Sequence, residues 1–325
     1  MPRPDPHFFF RNEPHTMSEI VSLLFPGQGS QHLGMGRALA EAFPLARETF
    51  AEADDALGIH LSRIMWEGPL ETLTETRHAQ PAILAHSIAA LRVLGPRAEA
   101  IAMGAGHSLG EFSAHVAAGS WSFDDALRAV RLRGELMFAA GQARPGSMAA
   151  VLGIADEEVD RICQAASSPG AEVVVANLNS EGQIVVSGDT DALARVADEL
   201  REAGAKRVVP LTVSGAFHSP LMEPAQEGLR QELSSISFNR PEWPVVSNVT
   251  GTPVTDAAAI PELLVRQLVS PVRWRESIER MVAEGTTRFL ELGPGSVLTG
   301  LNRRNARGVP TVAVGEPEAF DKLDP

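Results

Sequence analysis

A single cysteine, Cys163, stands in 325 residues, so the chain cannot close a disulfide on itself, and scarce thiols fit a reducing, cytoplasmic compartment. Cys163 follows Val159 at helical spacing and is expected as a buried structural thiol. Long apolar runs are missing too: none approaches the roughly 20 residues needed to cross a bilayer. Phe8-Phe9-Phe10 is too short, and too closely flanked by prolines, to be a signal-peptide core. Met17 begins a cleaner start, so residues 1–16 are expected to be an extension outside the fold. Positive charge is in deficit, with Lys and Arg together numbering 28 against 41 for Asp and Glu and a net charge of -13. That argues against nucleic-acid binding, which needs clustered cations. With 44% hydrophobic residues and a mean hydropathy of -0.02, the chain is expected to be a soluble globular protein. It is long enough for one large domain with an insertion, or for two domains.

Several cofactor motifs fail. Gly27-Gln28-Gly29 and Gly104-Ala105-Gly106 each lack the third glycine of a dinucleotide fingerprint, with His32 and Leu109 in those places. No Gly-Lys-Ser/Thr phosphate loop, Cys-x-x-Cys or His-Glu-x-x-His pattern occurs. Nucleotide and metal chemistry have no sequence support, and no metal ligands are expected. Asn248-Val249-Thr250 fits a glycosylation sequon but carries little meaning without an export signal.

What is present is an α/β pattern. From Ile20 to about Gly141, short apolar strands alternate with amphipathic helices, including Ile20–Phe25 as a strand and Pro81–Leu94 and Asp124–Ala140 as helices. A self-contained unit follows: strands at 148–152, 172–176, 183–187 and 207–213, helices at 156–166 and 190–203. This β-α-β-β-α-β order is the ferredoxin-like arrangement. Further strands are expected at 245–248, 288–292 and 311–314. The expected architecture is a large α/β domain (17–146 and 213–325) interrupted by a small ferredoxin-like one (147–212), with a cleft between them suited to a ligand.

The most informative segment is Gly106-His107-Ser108-Leu109-Gly110. It follows the apolar run 100–103 and opens onto a helix-compatible stretch from Glu111. Strand, Gly-x-Ser-x-Gly turn and helix form a nucleophile elbow, with Ser108 as the nucleophile; a small residue in a tight turn is the plainer alternative. A serine hydroxyl needs a base, and composition alone does not choose among nine histidines. Arg133 lies beside Arg128 and Arg131 in a helical segment, where a solvated basic face is the default reading.

Taken with Pro26-Gly27-Gln28-Gly29-Ser30-Gln31, Arg131-Leu132-Arg133-Gly134, Gly215-Ala216-Phe217-His218-Ser219 and Gly293-Pro294-Gly295-Ser296-Val297-Leu298-Thr299-Gly300, the elbow makes the chain resemble the malonyl-CoA:acyl-carrier-protein transacylase family from about Ile20 to Arg304. The family also includes acyltransferase domains of polyketide and fatty-acid synthases. The resemblance implies an α/β-hydrolase-like domain carrying the ferredoxin-like insertion. It implies Ser108 as nucleophile, His218 as base, and a neutral orienting group at Gln267 in place of a carboxylate. Gln28 and Leu109 would supply oxyanion amides, and Arg133 would grip the malonyl carboxylate. His107 would shape the pocket wall, and Leu109 with Phe217 would disfavour an added α-methyl group. The implied substrates are malonyl-CoA and an acyl carrier protein bearing phosphopantetheine, with no further cofactor, no membrane and a monomeric enzyme. Lys206, Arg207, Arg303, Arg304 and Arg307 are candidates for docking the acidic carrier; Ser296, where many relatives carry lysine, weakens that surface. Rival readings are a stand-alone polyketide acyltransferase, a thioesterase or esterase, and a non-catalytic carrier-binding module.

Overall fold

Val21–Phe25 (β1) is buried without alternation from Ser22 to Phe25, as a parallel strand covered on both faces must be. The computed structural model describes residues 19–95 and 101–323; the expected extension at 1–16 lies outside them. Between β1 and Ile101–Gly106 (β2) run Arg37–Ala42 (α1), Pro44–Leu57 (α2), Leu61–Glu67 (α3), Leu70–Thr74 (α4) and Thr76–Leu94 (α5). Leu109–Ala117 (α6) and Phe123–Ala143 (α7) follow.

The chain then builds a second sheet from Gly146–Leu152 (β3), Val173–Ser180 (β4), Gln183–Asp189 (β5) and Arg207–Pro210 (β6), with Asp156–Ala166 (α8) and Thr190–Glu202 (α9) between them. It returns through Glu223–Ser234 (α10) to Val245–Val246 (β7), Pro253–Val254 (β8), Ile260–Arg266 (α11) and Trp274–Ala283 (α12). Arg288–Leu292 (β9), Val297–Asn305 (α13), Thr311–Val314 (β10) and Pro317–Phe320 (α14) complete it.

The first sheet has the order β10-β9-β1-β2-β7-β8. It is parallel except for the edge strand β8. The chain runs from β1 to β2 on one side and later fills β9 and β10 on the other. Its direction therefore reverses at β1, and ligands favour the carboxyl ends of strands at such a reversal. The second sheet, ordered β4-β5-β3-β6, is antiparallel throughout. One face presents Ala149, Val151, Ile184 and Val186 to Ile162, Cys163, Val196 and Leu200 of α8 and α9. Residues one step out of phase, Met148, Ala150, Gln183 and Val185, face the cleft between the sheets, as a side-chain period of two requires. Cys163 is buried, and burial pushes its thiol up to about 12, leaving it unreactive.

Of the boundaries that differ from the sequence reading, three have structural consequences. α5 begins at Thr76, so Pro81 lies inside the helix rather than at its start. Pro81 cannot donate to the carbonyl of Arg77, and Arg131 Nη1 does so instead at 3.3 Å. The strand expected at 207–213 ends at Pro210, and that at 245–248 ends at Val246. Leu211–Val213 runs on as irregular chain along the cleft. Asn248 leaves its ladder to bond the elbow. Among the described residues no helix is long and apolar enough to cross a membrane, and no cluster of three or more His, Cys, Asp or Glu could hold a metal ion.

Candidate active site

Loops leaving the carboxyl ends of β1, β2 and β9 converge on a cleft of about 390 Å³. β1 delivers Gly27 and Gln28, and β2 delivers His107 and Ser108. The loop after β9 leads into Val297 and Leu298 at the start of α13. The opposite wall is the cleft-facing side of the second sheet, with Asn177, Asn179, Gln183 and Val185.

Sterics dictate the elbow glycines. A Cβ on Gly106 would lie 1.8 Å from the backbone of Gly110, and one on Gly110 would lie 2.0 Å from Phe25 O. Neither neighbour can move without displacing a strand or helix. Ser108 itself is held at φ 50° and ψ -107°, a conformation that costs roughly 1–3 kcal/mol in a residue with a Cβ. Its amide donates to Asn248 Oδ1 at 2.7 Å, while Asn248 Nδ2 donates to Gly106 O at 2.7 Å. One asparagine thus clamps both sides of the turn.

His218 Nε2 lies 2.8 Å from Ser108 Oγ. Its Nδ1 lies 2.8 Å from the backbone oxygen of Gln267. A carbonyl can only accept, so Nδ1 carries the proton and Nε2 presents a lone pair to the serine. Burial, with Arg133 and His107 nearby, pushes the His218 imidazole down to about 3, so it is neutral near pH 7. Gln267 meets His218 through its main chain, and its side chain is engaged elsewhere.

That side chain joins the remaining groups. Gln267 Oε1 accepts from Arg133 Nη2 at 2.9 Å, and Nε2 donates to Ser108 O at 2.9 Å and Glu111 Oε2 at 2.7 Å. Arg133 is 1% exposed, unlike Arg128 and Arg131 on the same helix, which pair with Asp124, Asp125 and Glu135 nearer the surface. A solvated basic face therefore describes those two and not Arg133. Arg133 Nη1 donates to Gln80 Oε1, Nη2 reaches Ser108 Oγ at 3.2 Å, and the guanidinium lies over Phe112 at 5.2 Å. Burial lowers its pKa to about 10, still leaving it charged. Glu111 is fully buried, and burial pushes its carboxyl up to about 7.

The amides of Gln28 and Leu109 donate to no described protein group. Both residues line the cleft beside Ser108, and the Leu109 amide opens α6, where the helix end is electropositive. A Cβ on Gly27 would meet His107 O at 2.3 Å, so glycine is what lets these two loops touch. His107 Nε2 lies 2.8 Å from Asn179 Oδ1 and its ring packs against Trp274. Phe217 lines the cleft with Leu109.

The basic candidates lie outside the cleft lining. Lys206 and Arg207 are exposed; Arg207 pairs with Leu152 and shares its sheet face with cleft-lining Ala150. Arg303 and Arg304 are exposed in the last turn of α13, whose first turns line the cleft. Arg307 is exposed just beyond it. Sequence reasoning missed Glu111, Gln80, Asn177 and Asn179, and took Asn248 only as part of a sequon.

A family profile described as an acyl transferase domain matches residues 23–316. The malonyl CoA-acyl carrier protein transacylase of Bacillus subtilis is 46% identical over 301 residues, covering 93% of this chain and 95% of that protein. The Escherichia coli transacylase is 44% identical, covering 92% and 97%. The crystal structure of an acyl carrier protein S-malonyltransferase from Vibrio cholerae superposes with a TM-score of 0.90 at 44% identity, covering 94% of this chain and 99% of that one. A malonyl-transacylase in complex with its type II polyketide acyl-carrier protein gives 0.89 at 43% identity, covering 94% and 98%. With a parallel α/β core, a serine elbow and matches of this length, the chain belongs to the malonyl-CoA:acyl-carrier-protein transacylase family.

Proposed function

We propose that this protein transfers malonyl from malonyl-CoA to the phosphopantetheine thiol of an acyl carrier protein through a malonyl-Ser108 intermediate, supplying fatty-acid synthesis. The observation that carries this is the meeting of three groups: Ser108 Oγ lies 2.8 Å from His218 Nε2 and 3.2 Å from Arg133 Nη2. A base alone suits any ester or thioester, whereas a buried guanidinium beside the nucleophile selects an acyl group ending in a carboxylate.

In the forward half, His218 Nε2 takes the Ser108 proton as Oγ bonds to the thioester carbon. The carbonyl oxygen becomes an oxyanion against the Gln28 and Leu109 amides, each such donor typically worth about 3 kcal/mol in the transition state. The C–S bond then breaks and His218 returns the proton to the departing CoA sulfur. The second half reverses these steps with the carrier's thiol as nucleophile. The Gln267 carbonyl orients His218 without adding a negative charge, enough for a thioester, which is more reactive than an amide. No redox step occurs, so the chemistry requires no cofactor beyond the two substrates.

Asn177, Asn179 and Gln183 give the cleft wall amide groups that match the amides of a pantetheine arm. Lys206, Arg207, Arg303, Arg304 and Arg307 stand near its margins as the basic ground for an acidic carrier. Leu109 and Phe217, both in the cleft lining, would disfavour an α-methyl branch, a preference worth about 1–3 kcal/mol. We assign residues 17–146 and 213–325 to an α/β-hydrolase-like catalytic domain and 147–212 to a ferredoxin-like insertion, acting as a cytoplasmic monomer.

Intact-protein mass spectrometry after exposure to malonyl-CoA tests the reading. One malonyl group should add to the protein, vanish on adding phosphopantetheinylated carrier, and never appear on Ser108→Ala. Malonylation of that variant would remove Ser108 from the role, and release without transfer to the carrier would make the protein a thioesterase. The polyketide-carrier complex of a 43% identical relative favours one second reading, service to a polyketide pathway, which a panel of carriers separates.

A further inference from the structure

Glu111 takes no part in the steps above, yet Ser108, His218 and Arg133 are all tied to it. It is completely buried, and among the described residues no ion pair holds its carboxylate, although Arg133 is close enough to act on its charge. Its Oε2 accepts from Gln267 Nε2 at 2.7 Å and from the amide of Asn248 at 3.1 Å. Gln267 then reaches three ways: Oε1 to Arg133 Nη2, Nε2 to Ser108 O, and its backbone oxygen to His218 Nδ1. Asn248 reaches the fourth, through Oδ1 to the Ser108 amide. The nucleophile, the base and the arginine are thus each two hydrogen bonds from one carboxylate.

A side-chain amide can sit in such a site in two orientations that differ by exchanging oxygen and nitrogen. Arg133 can only donate, so the productive orientation needs oxygen toward it. Glu111 Oε2 already accepts from the backbone amide of Asn248, so it carries no proton and can only accept; Gln267 must turn its nitrogen toward it and its oxygen toward Arg133. Neither Arg133 nor Glu111 alone would tie Gln267 to both partners.

We propose that Glu111 is a positioning residue for acyl transfer: by accepting from Gln267 and Asn248 it fixes the Gln267 amide and with it the placement of Arg133, His218 and Ser108. This inference rests on the transferase reading above. It assigns Glu111 a hydrogen-bonding role, distinct from that of a counter-charge to Arg133.

Two conservative replacements separate those roles. Glu111→Gln keeps an oxygen acceptor at the same reach and removes the charge; Glu111→Asp keeps the charge and withdraws the acceptor by one methylene. Single-turnover malonylation from malonyl-CoA is measured on both and on the unaltered protein, together with acetylation from acetyl-CoA and a thermal melt. The expected result is a first-order malonylation rate about tenfold or more slower for Glu111→Asp and within about threefold for Glu111→Gln, because a misplacement near 1 Å degrades an aligned reaction steeply. Malonylation should suffer more than acetylation in Glu111→Asp, since only malonyl uses Arg133. A normal rate in Glu111→Asp would overturn the proposal, as would equal damage in both variants or a loss matched by the fraction of protein unfolded. Failure of the unaltered protein to acylate would instead sink the transferase reading itself.

Discussion

Ser108 and His218 are the two non-glycine residues with positive φ among the described residues, at 50° and 57°, and their side chains meet at 2.8 Å. Both backbones sit where a Cβ is disfavoured, on loops 110 residues apart. Strain of this kind persists only where surrounding structure over-determines it. Here the clamps are visible: Asn248 on the Ser108 amide, and the Gln267 carbonyl on the His218 ring.

Relieving the strain should therefore stabilise the fold. Ser108→Ala and Ser108→Gly both remove the hydroxyl, but only glycine is at ease at φ 50°. Ser108→Gly should be the more stable of the two by about 1 kcal/mol, after allowing for the greater freedom of glycine in the unfolded chain. Urea denaturation of the pair measures the difference. Equal stability would mean that the elbow stores little strain.

Arg133 should decide which acyl group is accepted. A charge-assisted hydrogen bond is worth about 1.5–3 kcal/mol. Arg133→Ala should then slow malonylation by about a hundredfold, while acetyl transfer survives or improves. Arg133→Lys should rescue little, because one ammonium cannot replace a fork held by both Gln80 and Gln267. Competition between malonyl-CoA and acetyl-CoA, read by mass, gives the ratio directly; an unchanged preference for malonyl would contradict the assignment.

Buried histidines should make the protein acid-sensitive. Burial lowers His86 to about 4 and His115 and His218 to about 3, from an ordinary 6.5. Their contribution to stability is complete above pH 6.5 and lost as pH falls toward those values, because the unfolded chain takes up protons that the folded one refuses. Together they contribute up to about 4 kcal/mol per pH unit in the middle of that window. Glu111 acts in the other direction: raised from 4.5 to about 7, its contribution is complete below 4.5 and fades as pH rises to 7. Denaturation midpoints should climb from pH 4.5 to about 6.5 and then level off. In Glu111→Gln the gain over the unaltered protein should grow from pH 4.5 to 7; a gain independent of pH would show that Glu111 does not titrate in that range.

How far the sequence carried follows from the range of the interactions. β9, α8 and β10 were legible to the residue because apolar periodicity is local, and the elbow was legible because strand, Gly-x-Ser-x-Gly and helix form a contiguous pattern, although Gly110 itself answers to Phe25 on another strand. Pro81 inside α5 was not, since the Arg131 donor that replaces its missing N–H lies 50 positions on. Glu111 sits three residues after Ser108, the spacing of a capping box, yet its carboxylate turns to Gln267 and Asn248, 156 and 137 residues away. The position of Gln267 was recognisable by resemblance. That its backbone rather than its side chain meets His218 was not, because every sequence has a carbonyl at every residue.

The β1 loop offers the sharpest steric test. Gly27→Ala would place its methyl 2.3 Å from His107 O, and that carbonyl accepts from the Gly110 amide at 2.9 Å while the His107 amide donates to Phe25 O at 3.0 Å. The clash thus falls on backbone fixed at both ends, and the loop carrying Gln28 must retreat instead. Withdrawing one oxyanion donor costs about 10²–10³ in kcat, so acylation should slow by that order, with a smaller change in KM and a stability loss of about 1–3 kcal/mol. Gly29→Ala is the control. Nothing lies within 4 Å of its Cβ, so its φ of 102° should cost stability but leave the Gln28 amide in reach of the oxyanion. If Gly29→Ala slowed acylation as much as Gly27→Ala, backbone strain in the loop would be responsible, and the Gln28 amide would lose its assignment.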